Sequence, residues 1–220
     1  MFRSDTALLV VDAQESFRHR PYWSDRDAPA FFDCLQALAD GAAARGIPIA
    51  QIFHVEDEGA FSEAAGWVRA IAPLSIAADA VFQRRHSALV GTGLGVWLTE
   101  RGIRRLIVCG IRTEQCCETT ARHASDLGYD VDFVAEATLS FAMIGADGRE
   151  WSAREIASAP SSCWPTASRA SPRSRTRWPP RTRAALHERC AGTRDPGAVR
   201  AAAARAAARR GRSARRAAPR

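Results

Sequence analysis

The chain has 220 residues, 46% of them hydrophobic and 25% charged, a mixture that suits a globular domain and excludes a fibrous or wholly disordered polymer. Its net charge of +7 suggests a nucleic-acid binder until the charge is located. Residues 1–158 carry 15 Arg against 22 Asp and Glu, whereas residues 159–220 carry 16 Arg against Glu188 and Asp195 alone. The body is therefore acidic, and only non-specific attraction of nucleic acid by the tail is expected.

Thr6 to Asp12 is a nearly unbroken apolar run that ends in a carboxylate, the pattern of a strand buried on both faces. Asp27 to Arg45 places Phe31, Phe32, Leu35, Leu38 and Ala42 at helical spacing, with Gly46 as the stop. Ile47 to Val55 reads as a second strand and Ala80 to Arg84 as a third. Thr92 to Arg101 is a helix with Gly102 beyond its end, and Arg105 to Ile111 is the fourth strand. Glu114 to Leu127 is the next helix, Tyr129 to Ala135 a fifth strand, and a last helix begins at Ser152. This alternation predicts an α/β domain over residues 1–158, a three-layer, doubly wound parallel sheet of five to six strands with helices on both faces.

In such sheets ligands bind outside the carboxyl ends of the strands. Asp12, the Gln83 to Arg85 stretch and Cys116 fall at those ends. Cys116 stands where a strand gives way to a helix N-terminus, and the helix dipole there favours thiolate over thiol.

Residues 159–220 cannot build a core, since Leu186 and Val199 are their only Leu, Ile, Val or Phe residues. Three readings stay open for this Arg/Ala/Pro/Ser tail: a basic arm, a disordered remnant, or an out-of-frame translation of GC-rich DNA. GC-rich codons for Pro160 to Pro180, read two nucleotides later, can encode an amphipathic helix followed by a short strand. Met1 to Asp5 lead straight into the first strand without a secretory pattern, and no apolar run approaches the roughly 20 residues that cross a bilayer. The four body cysteines show no metal spacing, with Cys34 and Cys109 read as small buried hydrophobes. Free thiols in a reducing cytoplasm are the expectation.

Three segments give the body its resemblance to a known family. Val10 to Phe17 carries a D-x-Q-x-x-F pattern on Asp12, Gln14 and Phe17; His86 to Thr92 carries an S-A-x-x-x-T pattern; Val108 to Arg122 carries a G-x-x-T-x-x-C turn on Gly110, Thr113 and Cys116. Together they resemble the isochorismatase-like cysteine hydrolases, which include nicotinamidases, carbamoyl amidohydrolases and isochorismatase, over about residues 5–158. The resemblance implies a six-stranded parallel sheet, whose last helix and edge strand the tail replaces. It also implies an Asp–Lys–Cys triad, in which the thiolate attacks an amide carbonyl and water later hydrolyses the thioester.

Asp12 and Cys116 match that triad, but Gln83 stands where the family has lysine. The chain contains no lysine at all. Strand alternation puts Arg85, not Arg84, on the face of Gln83, so Arg85 is the expected surrogate cation or carboxylate binder. The resemblance further assigns Arg112 and Thr113 to the nucleophile turn, with a cis peptide before Arg112, an oxyanion role for its backbone and a side chain able to meet an anionic substrate. Gln14 and Thr113 are read either as supports of the site or as plain local hydrogen-bonders. Phe17, Tyr22, Trp23 and Phe141 are read either as pocket lining or as core.

No cofactor is expected. The nicotinamidase D-x-H-x-x-H-like metal pattern is missing, and the matching His54-Val-Glu56-Asp57-Glu58 is read as a solvated acidic loop. The expected activity is cysteine-dependent hydrolysis of a carbon–nitrogen bond in a small molecule, by a homo-oligomer. The alternatives are an ether hydrolase that leans on Asp12, or an impaired relative kept for binding or oligomerisation.

Overall fold

Six consecutive buried residues, Thr6–Val11, form β1 at the centre of the sheet. The protein is seen in a computed structural model that describes residues 4–84 and 86–163. Around β1 lie β2 (Ile49–His54), β3 (Ala80–Arg84), β4 (Arg105–Ile111) and β5 (Asp130–Leu139), in the order β3-β2-β1-β4-β5 and all parallel. The chain builds outward from β1 through β2 to β3, then crosses to β4 on the other side of β1. The carboxyl ends of β1 and β4 therefore flank the point where winding reverses, which is where such sheets open a crevice.

Helices cover both faces, as expected. Ala7, Leu9 and Val11 of β1 meet α2 (Leu94–Glu100) through Leu94, Trp97 and Leu98, and α3 (Glu118–Asp126) through Ala121 and Ala124. Alternation turns Leu8 and Val10 to the opposite face. On that side α1 (Ala28–Ala43) buries Phe31, Leu35 and Leu38 and packs beside β2 and β5. Full burial of each such leucine contributes roughly 1.5–3 kcal/mol.

The close approach of β4 to β1 depends on one residue. Gly110 has φ +128°, and a Cβ built on it would lie 1.8 Å from the Val11 carbonyl oxygen. Only glycine fits there, and the same stretch carries a register shift between Val108 and Gly110 against β5.

Several elements differ from expectation. The expected helix from Glu114 opens instead with a π-helical turn, Thr113–Cys117, before α3 begins. β5 runs to Leu139, four residues past its expected end at Ala135, because Thr138 and Leu139 pair with Gly110 and Ile111 beyond the register shift. A two-stranded hairpin, β6 (Met143–Ile144) with β7 (Glu150–Trp151), was not expected. The helix expected from Ser152 is α4 (Ala153–Cys163), its start capped where the Glu155 amide donates to Ser152 Oγ and the Ser152 amide donates back to Glu155 Oε2. Cys109, Cys116 and Cys117 are free thiols, but Cys34 is disulfide-bonded, contrary to expectation. That bond is not legible from the spacing of the body cysteines. The basic tail from Trp164 onward, and Arg85, lie outside the described residues. No helix among the described residues is long and apolar enough to cross a membrane.

Candidate active site

Asp12 follows β1 directly and is fully buried. Its φ of +49° makes it the one non-glycine residue with positive φ among the described residues, and Asp is among the few side chains that tolerate this region. The Asp12 amide donates to Ile52 O at 2.8 Å and its carbonyl accepts from the Gln14 amide at 2.7 Å. These bonds pin the turn at the carboxyl end of β1 to the end of β2.

Cys116 lies in the π-helical turn after β4 and is 7% exposed. The peptide bond Ile111–Arg112 is cis, at the position the resemblance pointed to. The Arg112 carbonyl accepts from the amides of Gln115 and Cys117, each at 3.2 Å, which closes the turn around the thiol. A π turn widens the helix at a point where a side chain must be aimed.

The third member of the cluster is His54, at the end of β2. One carboxylate oxygen of Asp12, one ring nitrogen of His54 and Cys116 Sγ all lie within 4.8 Å of one another, and all three residues are buried. His54 is held from several directions. Its amide donates to Gln14 Oε1 at 2.7 Å and its carbonyl accepts from Gln14 Nε2 at 3.0 Å. Its Nε2 lies 3.1 Å from Glu56 Oε1. Its ring packs edge-on against Phe61, with centroids 5.3 Å apart, and 5.6 Å from the ring of His86.

His54 also lines a cleft of about 400 Å³ with Glu56, Asp57, Glu58 and His86. Glu56, Asp57 and Glu58 are exposed, which fits the solvated acidic loop expected of them. Among the described residues this is the one group of three or more His, Cys, Asp or Glu side chains close enough to share an ion.

The other expected site residues fall into three groups. Gln14 is fully buried and acts on His54, with its Nε2 also donating to Ser16 Oγ at 2.9 Å. Thr113 is buried and donates to Thr138 Oγ1 at 2.9 Å, tying the nucleophile turn to β5 without facing the cleft. Phe17 does not line the cleft. Its ring meets Phe61 and Phe141, with centroids 4.9 and 6.1 Å away, and Tyr22 and Trp23 pack on Phe141 in turn.

The Arg112 side chain already has partners within the protein. Its Nε forms an ion pair with Glu114 Oε1 at 2.9 Å, its Nη2 donates to Met143 Sδ at 2.7 Å, and its guanidinium lies over the rings of Tyr22 and Phe141. Glu114 in turn accepts from Ser140 Oγ at 2.7 Å. Gln83 is exposed on β3, in register with Phe53 and one step short of His54. Arg85, the expected surrogate, lies outside the described residues. The imidazole in the cluster was missed because His54 was read only with the acids that follow it. Its place at the carboxyl end of a predicted strand was the available signal.

Residues 6–164 match the model of the isochorismatase domain. The streptothricin hydrolase of Streptomyces noursei is 28% identical over 145 residues, 64% of this chain and 57% of that protein. Nicotinamidase 3 of Arabidopsis thaliana is 40% identical over 63 residues, 29% of this chain and 32% of that protein. The chain thus spans less than two thirds of either relative. A crystal structure of an isochorismatase-family protein from Chromobacterium violaceum ATCC 12472 superposes with a TM-score of 0.65 at 27% identity, covering 74% of this chain and 86% of that one.

Proposed function

Because the chain belongs to the isochorismatase family of hydrolases, we propose that it hydrolyses an amide-like carbon–nitrogen bond in a small molecule, with Cys116 as the nucleophile. The observation that carries this reading is the convergence of carboxylate, imidazole and thiol atoms within 4.8 Å at the point where sheet winding reverses. In this reading the Cys116 thiol gives its proton to the cluster and the thiolate adds to the substrate carbonyl carbon. The carbon–nitrogen bond then breaks, the amine departs with that proton, and water hydrolyses the remaining thioester to a carboxylic acid. Two relatives support the bond type by their names, a nicotinamidase and a streptothricin hydrolase. The cleft of about 400 Å³ suits a small molecule rather than a polymer.

The test is a panel of small amides assayed for release of ammonia or amine by the full-length chain, with Cys116→Ala as control. Turnover by the wild type and none by the variant is expected; turnover that survives the substitution overturns the nucleophile assignment.

A second reading is favoured by Gln83, a neutral and exposed residue where the resemblance implies a lysine. In that reading the chain keeps the fold and a closed-down site and acts by binding. It predicts no turnover of any amide, together with Cys116 alkylation no faster than that of a simple thiol.

A further inference from the structure

Gln83 stands where the resemblance implies a lysine, and a thiol that is to act as a thiolate needs a cation beside it. We propose that His54 fills this role, forming with Asp12 and Cys116 a carboxylate–imidazole–thiol trio in place of the lysine that Gln83 replaces. This inference rests on the proposed cysteine-hydrolase reading and names the group that makes the nucleophile work.

Three observations carry it. The first is proximity: a His54 ring nitrogen lies within 4.8 Å of both Cys116 Sγ and an Asp12 carboxylate oxygen, in a buried setting where charge interactions are weakly screened. The second is orientation. Nε2 of His54 is placed 3.1 Å from Glu56 Oε1, which sets the plane of the ring beside Asp12 and Cys116. A carboxylate behind an imidazole fixes its tautomer and favours its charged form, as in cysteine and serine hydrolase triads of other folds. The third is restraint. The Gln14 carboxamide holds the His54 backbone by both its amide and its carbonyl, and Phe61 fixes the ring edge-on. A catalytic ring needs such support, since a loose one loses its geometry.

The charged and titratable groups around His54 come from several elements. Asp12 comes from the end of β1, Glu56 from the residues after β2, and Asp57 and Glu58 from the rim of the cleft. Cys116 approaches from the turn after β4, and His86 from the segment after β3. Arg84 is the register partner of His54 on β3. Four carboxylates thus face one histidine, or line its cleft.

In the reaction, the Cys116 proton passes to the cluster, leaving a thiolate beside an imidazolium. The thiolate adds to the amide carbonyl carbon, and His54 returns the proton to the leaving nitrogen as the carbon–nitrogen bond breaks. His54 then accepts a proton from the incoming water, whose oxygen displaces Cys116 from the thioester.

The test is the rate of Cys116 alkylation by iodoacetamide against pH, in the full-length chain, with the modified residue located by peptide mass. The wild type is expected to show a thiolate well below the ordinary inflection near ~8.5. His54→Gln is expected to raise the inflection toward that value and to slow alkylation at neutral pH at least about ten-fold. Adding Gln83→Lys to His54→Gln is expected to restore a lowered inflection by returning a cation. Glu56→Gln alters a half-exposed side chain with little risk to folding, and it is expected to raise the inflection part of the way. An unchanged inflection in a folded His54→Gln or in Glu56→Gln overturns the proposal, as does a wild-type inflection near ~8.5. A His54-dependent thiolate in a chain that turns over no amide sustains the trio and sinks the substrate reading instead.

Discussion

The carboxamide of Gln14 grips both backbone polar groups of His54: Oε1 accepts from the His54 amide at 2.7 Å, and Nε2 donates to the His54 carbonyl at 3.0 Å. The two residues lie 40 positions apart in the chain, and all of these atoms are buried. One side chain thus satisfies both backbone polar groups at a strand end.

Gln14→Ala is therefore expected to remove two buried hydrogen bonds and to cost about 3 kcal/mol. The midpoint of urea unfolding should fall with no change in its slope. Cys116 alkylation should slow in the same variant even where it is fully folded, since His54 loses its anchor. A loss of stability without any change in alkylation would separate Gln14 from the site.

Gly110→Ala should be far more severe. Its Cβ would lie 1.8 Å from the Val11 carbonyl oxygen, on a backbone with φ +128°. A loss beyond about 4 kcal/mol is expected, read as a failure to accumulate soluble protein or a collapse of the thermal midpoint. Gly95→Ala is the contrast. Nothing lies within 4 Å of its added Cβ and its position is helical, so a gain of about 0.5–1 kcal/mol is expected.

Two ion pairs near the nucleophile turn should behave differently. Arg112 is buried and Glu114 partly so, with side chains 9% and 15% exposed, so Glu114→Ala strands a charge and should cost about 3 kcal/mol. Arg122 is 55% exposed in its pair with Glu118, so Arg122→Ala should change stability by no more than about 0.5 kcal/mol. Unfolding of both variants in parallel checks the contrast, and equal effects would contradict it.

Cys109 sets a dependence of stability on pH. Burial pushes its thiol pKa well above the ordinary 9.0, and its sulfur donates weakly to Leu9 O at 3.5 Å. The folded chain then keeps this proton where the unfolded chain releases it. Stability is present in full below the ordinary thiol range and is lost as pH rises above it, by up to about 1.4 kcal/mol per pH unit. Cys109→Ala should flatten the decline of unfolding free energy between about pH 8.5 and 10. An equal slope in both proteins would exclude Cys109 as its source.

Much of the fold was legible because its signals are local. Apolar runs bounded by glycine gave all five sheet strands and the helices between them. Asp12 and Cys116 were legible from short motifs at strand ends. The role of His54 was not, because it arises from register: β2 pairs beside β1, so its last residue arrives next to Asp12. The contacts of the Arg112 guanidinium with Tyr22 and Phe141 were likewise not legible, since they come from segments distant in the chain. The β6–β7 hairpin had a visible signal in Asp147-Gly148, a turn-forming pair that was passed over.

The backbone at Asp12 also sets which parts of this site are free to be replaced. A residue at φ +49° must be Asp, Asn or Gly to avoid a steric penalty, so the chain's geometry and its chemistry select the same side chain there. Position 83 faces no such demand, being exposed on a strand that accepts glutamine or lysine alike. Exchange of residues can therefore move the positive partner around the pocket while the carboxylate stays fixed. In the proposed trio the cation is therefore the component least bound to one position of the backbone.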